Sequence, residues 1–577
     1  MMWKNSARIG LLVFVAFVVS LPILQAGFFS DDIVVSETAG YAAVLHQSIW
    51  PYMLHKTIET SVGQGRIFPL SFGSILIYSY YFQSPLAYQI ARVIAIWLSV
   101  ISMAWLVQLI TKNIKVSLFF VLLFPVFWSM RNMSDALLSY GPQMPLVALL
   151  MMGSLAFLIQ YFEKRKKTWY ALSLLSYFAA LMTYEVATTT FFCLAALIWL
   201  NQTTKRQFLQ ALSPFVLISL AYLIGYKIVQ HYHAAYIGIT PGHLNIQFLR
   251  TFFYQLIAAL PLSFGIFRGH YFKISVLVPF FENPGYLALL LLLFCSAWFL
   301  FYQLIKSLQL NQRQNKTLIV LGLFLCIIPS FLIGISVKYE AELRLGLGYI
   351  PLYIQYIGMT FLLLCLLNKI KHWRVSLALL FSLIMCFSLI FNLTIVRVQN
   401  DQFKYPRDLE DQAIHAGLLN NLPVNAVVMA KGDWVTSFYF MQKKGVTLQT
   451  IVLGEGESPT PDRLPVVQQA KGHYIPTKPL FFMHENHVPG STEGEVVLGQ
   501  VQWVDYQNVN GTVELSSLRF QPIAFFSSFK GQQSLNSTHL VHAQSIQILW
   551  SCNPAYDVPC FTGPIFSAIK KTLLLPK

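Results

Sequence analysis

Charge is what this chain has least of. Only 11% of its 577 residues are Asp, Glu, Lys or Arg, where a soluble domain carries roughly 25%. That excludes a water-facing globule over the whole length. Acids are the scarcer sign. Residues 1–396 contain only Asp31, Asp32, Glu37, Glu59, Asp135, Glu163, Glu185, Glu282, Glu340 and Glu342. No glycine-rich phosphate-binding loop occurs, which argues against nucleotide-dependent chemistry. No internal repeat occurs, inverted or direct, which argues against a secondary transporter. Histidines are scattered: His46 and His55 share one segment, His231 and His233 another, too few in either to supply metal geometry. Cysteine is rare, and Cys193, Cys295, Cys326, Cys365 and Cys386 lie in apolar runs as small apolar residues.

Apolar surface is what the chain has in excess. Hydrophobic residues make up 56% of it, and mean hydropathy is +0.57. A membrane span needs about 20 largely apolar residues. Candidate spans fall near 9–29, 86–110, 116–130, 142–162, 168–184, 186–201, 209–229, 285–305, 317–337, 346–368 and 374–396, which predicts an α-helical polytopic membrane domain of about 11 helices over residues 1–396. The first run is longer than a signal-peptide core and reads as a retained anchor.

Lys and Arg mark the cytoplasmic side of a membrane protein. Lys4, Arg8, Lys112, Lys115, Lys164, Arg165, Lys166, Lys167, Lys205, Arg206, Lys306, Arg313, Lys316, Lys369, Lys371 and Arg374 all fall at one set of span ends. The N-terminus is then inside. Two long outer loops follow, 30–85 and 230–284, and everything after Arg397 lies outside. Within the first loop, 36–59 has helical composition that Pro51 would kink or divide. Segments 67–82 and 248–267 read as interfacial or re-entrant elements.

Composition becomes ordinary for a soluble domain near Val398. Alternating runs at 426–429, 446–452, 495–498 and 545–549 predict strands of a mixed α/β or β-rich extracytoplasmic domain, 397–577. Cys552 and Cys560 flank a proline-containing loop, and a disulfide between them suits an oxidising compartment. This tail has equal numbers of basic and acidic residues, so the net charge of +16 belongs to the membrane half. It reflects sidedness and anionic lipid rather than nucleic acid.

Nine of the ten acids before residue 397 sit at outer positions, Glu163 being the exception. Topology does not demand this, because Asp and Glu contribute little to it. A functional outer face does. Asp31 and Asp32 end the first span, Arg131 and Asp135 follow the third, Glu185 follows the fifth, Arg66 lies in the first loop, and Arg344 precedes the tenth. Each also has a plain reading: Asp135 as a helix cap, Arg344 as a snorkelling anchor, Arg66 and Glu185 as charge partners. Arg92 lies inside a span and needs a partner. Carboxylates and arginines in one hollow suit a reaction that deprotonates a hydroxyl and releases a phosphate.

This layout resembles the GT-C glycosyltransferases, the superfamily that includes protein O-mannosyltransferases and the bacterial enzyme that adds aminoarabinose to lipid A. The resemblance rests on Asp31-Asp32 in a large first outer loop, Asp135 in the second, and Arg344 within Glu342-Leu-Arg344-Leu-Gly-Leu-Gly-Tyr349-Ile-Pro351. It covers roughly residues 9–396, and no family domain resembles the tail. The resemblance implies a polyprenyl-phosphate sugar donor, a glycan, lipid or protein hydroxyl as acceptor, and a bacterial inner membrane with the C-terminal domain in the periplasm. It implies Asp31 or Asp32 as general base with Asp135 in the catalytic set. Arg344, with Arg66 or Arg131, would hold the donor phosphate, and Glu185 would support them. A divalent cation (Mg²⁺ or Mn²⁺) at Asp31-Asp32 is compatible with this and not required. The rival readings are a flippase for lipid-linked sugars, an O-antigen ligase or polymerase, and an assembly protein working through its tail.

Overall fold

A computed structural model describes residues 2–29, 31–36, 38–39, 42, 46–132, 134–201, 204–232, 242, 244–268, 278, 280–423, 426–431, 447–451, 467–470, 473–488, 490–509, 512–536 and 546–549. The chain divides into two compact units. One comprises Met1–Asp32 and Ile49–Val398, the other Ile33–Ser48 and Gln399–Lys577.

The first unit is helical, with a helix at each of the eleven predicted places. Among the described residues, seven stretches are long and apolar enough to cross a membrane: Arg8–Gln25, Pro85–Thr111, Gln143–Lys164, Lys205–Tyr232, Pro284–Lys306, Gln312–Gly334 and Leu352–His415. Before residue 400 the last contains two helices, Leu352–Ile370 and Arg374–Gln399, joined by a 3₁₀ turn. Ile114–Phe127 and Glu185–Asn201 are apolar but shorter, and Lys167–Leu181 has only 15 residues. At 1.5 Å per residue these three fall short of the hydrocarbon thickness, so the predicted count of eleven exceeds what length and composition support. A multi-pass membrane protein is what they support.

Cross-helix bonds sort the helix ends into two sets. At one end Lys112 pairs with Glu163, the Gln314 amide donates to Thr111 O (2.7 Å), and Arg313 Nη2 donates to Asn201 Oδ1 (2.9 Å). Asn368 brackets Leu310 with two bonds of 3.2 Å at that end. The opposite end holds Asp32, Tyr88, Arg131, Asp135, Gly141 and Glu185. The predicted inner bases that have described partners, Lys112, Lys164, Arg313, Lys316, Lys371 and Arg374, all lie at the first end.

In the first loop, Pro51 does not divide a helix. It sits in the first turn of Ile49–Gln64, where the N–H that proline lacks would have had no partner. Pro69–Tyr81 is a separate 13-residue helix. The segment 248–267, expected to be interfacial or re-entrant, forms Ile246–Ala258, capped by Asn245, and Ser263–Phe267.

The second unit carries a nine-stranded mixed sheet in the order β2 (Thr447–Ile451), β1 (Val427–Lys431), β5 (Leu480–His487), β6 (Gly494–Val509), β4 (His473–Pro476), β3 (Val467–Ala470). β7 (Thr512–Phe529) pairs β6, β8 (Gln532–Asn536) and β9 (Ile546–Leu549). β1 is parallel to β2 and β5, and every other pairing is antiparallel. Helix Tyr405–His415 and its following turn lay Leu409, Ala413, Ile414, Leu418 and Leu419 on Val428, Met483, Val496, Leu498 and Phe526. The strands predicted at 426–429, 446–452, 495–498 and 545–549 all coincide with these elements. Cys552 and Cys560 lie outside the described residues.

Candidate functional site

The site begins where helix Met2–Gln25 ends. Residues 26–29 have no regular structure, and a short helix, Asp31–Ser36, follows. The Asp31 side chain lies outside the described residues. Asp32 is fully buried. Its Oδ1 accepts from Tyr88 Oη and from Gly141 N, each at 2.8 Å, and its Oδ2 pairs with Arg92. Tyr88 and Arg92 are four residues apart on helix Pro85–Thr111, so both face the same neighbour. Ser84 caps that helix and Pro85 opens it, which puts both residues within its first turns. Gly141 has a left-handed backbone (φ +54°), and an added Cβ would lie 3.0 Å from Tyr88 Oη. Glycine is therefore what lets this N–H reach Asp32 beside the phenol. Burial lifts the Asp32 carboxyl above its ordinary value against the opposing pull of Arg92, Tyr88 and Gly141.

Arg92 also donates from Nη1 to Leu138 O at 2.5 Å. Leu138 belongs to a turn organised by Asp135, whose Oδ1 accepts from Leu137 N (2.7 Å) and Leu138 N (2.8 Å). Its Oδ2 accepts from Arg131 N at 2.7 Å, and the residue is fully buried. Burial raises its carboxyl as well, against Arg131 and those three backbone donors. Asp135 thus caps a turn.

Arg131 is equally buried. Its guanidinium donates to Ser129 O, to Tyr356 Oη (2.8 Å) and to Ala258 O (2.7 Å). It braces the 128–142 loop against helices Leu352–Ile370 and Ile246–Ala258. The latter helix grips the loop that carries Arg344. Gln255 donates to Tyr349 O (3.3 Å) and accepts from Tyr349 N (2.9 Å), and it also donates to Gln355 Oε1 (2.8 Å). Gly346 (φ +81°) and Gly348 (φ +65°) bring this loop against Ser263, Phe267 and Ala258 with no room for a Cβ. Arg344 itself is exposed.

Arg66 and Glu185 form a separate fork, with Nε–Oε1 and Nη2–Oε2 both at 2.7 Å. Tyr226 donates to Glu185 Oε1 at 3.2 Å, and Arg66 lies over the Phe68 ring at 4.5 Å. The fork fixes the first loop onto the turn between Lys167–Leu181 and Thr188–Asn201. Burial pushes the Glu185 carboxyl up, but Arg66 and Tyr226 outweigh it and leave it below its ordinary value.

Hydrogen bonds therefore run from Asp32 through Arg92, Leu138, Asp135 and Arg131 to Ala258, and Gln255 on that same helix bonds the Arg344 loop at Tyr349. Asp32, Asp135, Arg131, Arg66 and Glu185 direct their polar atoms at protein partners. Tyr88, Arg92 and Gly141 were not among the sequence candidates, yet they hold Asp32. The one signal for them was an arginine inside a span that required a counterion. With both Asp32 oxygens engaged, this residue does not fit as a metal ligand, and no group of three or more metal-binding side chains converges among the described residues. No family model matches the chain, and no curated protein matches it.

Proposed function

We propose that this chain is a membrane glycosyltransferase of GT-C type. It moves a sugar from a polyprenyl-phosphate donor to an acceptor hydroxyl on the extracytoplasmic face. The reading includes eleven crossings, with the shorter helices Ile114–Phe127, Lys167–Leu181 and Thr188–Asn201 among them. The basic helix ends are cytoplasmic and the C-terminal unit is periplasmic. The observation that carries the proposal is the run of hydrogen bonds from Asp32 to helix Ile246–Ala258, whose Gln255 bonds the loop of the exposed Arg344.

Asp32 is already engaged on both oxygens, so the general base falls to Asp31. It takes the proton as the acceptor oxygen bonds to the anomeric carbon. The bond from that carbon to the phosphate oxygen breaks, and polyprenyl phosphate leaves with the electron pair. One displacement inverts the anomeric centre. Arg344 stabilises the departing phosphate, while Asp32, Asp135, Arg131, Arg66 and Glu185 are positioning residues. Loss of one positioned transition-state donor costs about 2.7–4 kcal/mol of barrier, roughly 10²–10³ in rate.

The test is transfer from defined polyprenyl-phosphate sugars by the purified full chain. Asp31→Asn and Arg344→Gln are expected to lose that activity while unfolding at the wild-type temperature. Equal turnover in both variants and wild type refutes the assignment. Tight donor binding with no transfer by wild type marks a carrier instead.

A further inference from the structure

The basic end of the first unit holds a cavity of about 550 Å³, lined by Thr111, Lys112, Asn113, Gln314, Asn368 and Lys371 among others. None of its lining residues is acidic. Its walls are set by bonds between helices. Lys112 closes helix Pro85–Thr111 in a left-handed conformation (φ 56°), its N–H donating to Gln108 O at 2.8 Å. Gln314 ties Thr111 O from one side, and Asn368 clasps both main-chain groups of Leu310 on the other. Lys371 Nζ reaches Leu308 O at 3.4 Å.

A second observation sets the depth of this cavity. Lys164 lies over Trp169 (5.1 Å), Lys316 over Trp199 (5.5 Å) and Arg374 over Tyr302 (5.3 Å), all at the same helix ends. Trp199 and Trp373 are 63% and 64% exposed. Exposed indoles among bases at helix ends mark the headgroup level of a bilayer. The cavity opens where lipid phosphates lie.

We propose that this cavity binds the phosphate of an anionic phospholipid headgroup. Lys112 and Lys371 supply the charge, and the surrounding side-chain amides supply neutral hydrogen bonds. Glu163 competes for Lys112 from helix Gln143–Lys164. The proposal does not depend on glycosyl transfer, nor on which face is cytoplasmic, since both faces carry headgroups.

The experiment is native mass spectrometry of the full chain, delipidated in detergent and titrated with phosphatidylglycerol or phosphatidylcholine. A basic residue near an anionic surface contributes about 1 kcal/mol. With two such residues, Lys112 and Lys371, phosphatidylglycerol should therefore bind about 30-fold tighter than phosphatidylcholine. K112Q/K371Q should lose that preference, and E163Q, which frees Lys112, should strengthen it. Equal binding of the two lipids, or an unchanged preference in K112Q/K371Q, overturns the proposal. So does displacement of phosphatidylglycerol by millimolar inorganic phosphate, which identifies a free-anion site. If the double variant does not fold, E163Q decides alone, and an unchanged preference there also overturns it.

Discussion

Replacing Asp32 with Asn separates structural from chemical roles at this site. Asp32 and Arg92 are both fully buried and paired. The substitution removes the charge that compensates the guanidinium and leaves one acceptor oxygen for three donors. It also points an amide N–H₂ at a neighbour that is itself a donor. Removing one member of a buried ion pair costs about 3–5 kcal/mol, because the other charge is stranded. That is a large share of a typical folding stability of about 5–15 kcal/mol. Thermal unfolding of the detergent-solubilised protein, followed by tryptophan fluorescence, should show a strongly lowered midpoint for Asp32→Asn. Asp32→Asn combined with Arg92→Met should unfold later than the single variant, because the stranded charge is gone. The reasoning is refuted if Asp32→Asn keeps the wild-type midpoint and loses transfer. Asp32 would then be a reacting group, not a strut.

Three further outcomes follow from the Arg66–Glu185 fork and the Arg344 loop. Arg66→Lys keeps the charge but loses the fork to Glu185, and should cost about 1.5–3 kcal/mol, the range for hydrogen bonds to charged groups, read as a lowered unfolding midpoint. Because the Glu185 carboxyl is held below its ordinary value, its stabilising contribution is present above about pH 4.3 and is lost as pH falls through the folded-state value. Glu185→Gln should flatten that acid limb of the stability profile. Gly348→Ala forces a side chain into a left-handed conformation, costing about 1–2 kcal/mol, and meets Ala258 Cβ at 2.7 Å. Its donor KM should rise as the Arg344 loop lifts, whereas Gly490→Ala, at φ +84° with open space around it, should leave transfer unchanged.

The helices and strands were legible because both are written in local pattern. Apolar runs of membrane length ended at basic clusters, and alternation marked Val427–Lys431 and Thr447–Ile451. Pro51 was misread because its effect depends on its place in a helix, and the first turn of Ile49–Gln64 tolerates it. The candidate site was legible only as a set of charges. Sequence nominates Asp32, Asp135, Arg66 and Arg131 by residue type and outer position, but whether each has charge to spare depends on tertiary partners. Arg92 shows the limit clearly. An arginine inside a span demands a counterion, yet nothing local says that the counterion is Asp32, 60 positions earlier.

That distinction determines which residues can act on a substrate. A buried carboxylate already accepting three hydrogen bonds gains little by accepting a fourth, and a fully buried guanidinium bonded to two carbonyls and a phenol must be uncovered before a phosphate can reach it. Rigidity and reactivity are therefore divided among residues of the same type. Arg66, Arg92 and Arg131 are each committed to carboxylates, carbonyls or a phenol. Arg344 is exposed on a loop that two glycines and Gln255 hold in place. A charge kept in solvent on a fixed loop pays less reorganisation when a phosphate arrives than one that must first leave a partner. Under the proposed transfer, Arg344 is therefore the arginine to meet the donor phosphate, and Gly346, Gly348 and Gln255 are what keep its loop in place.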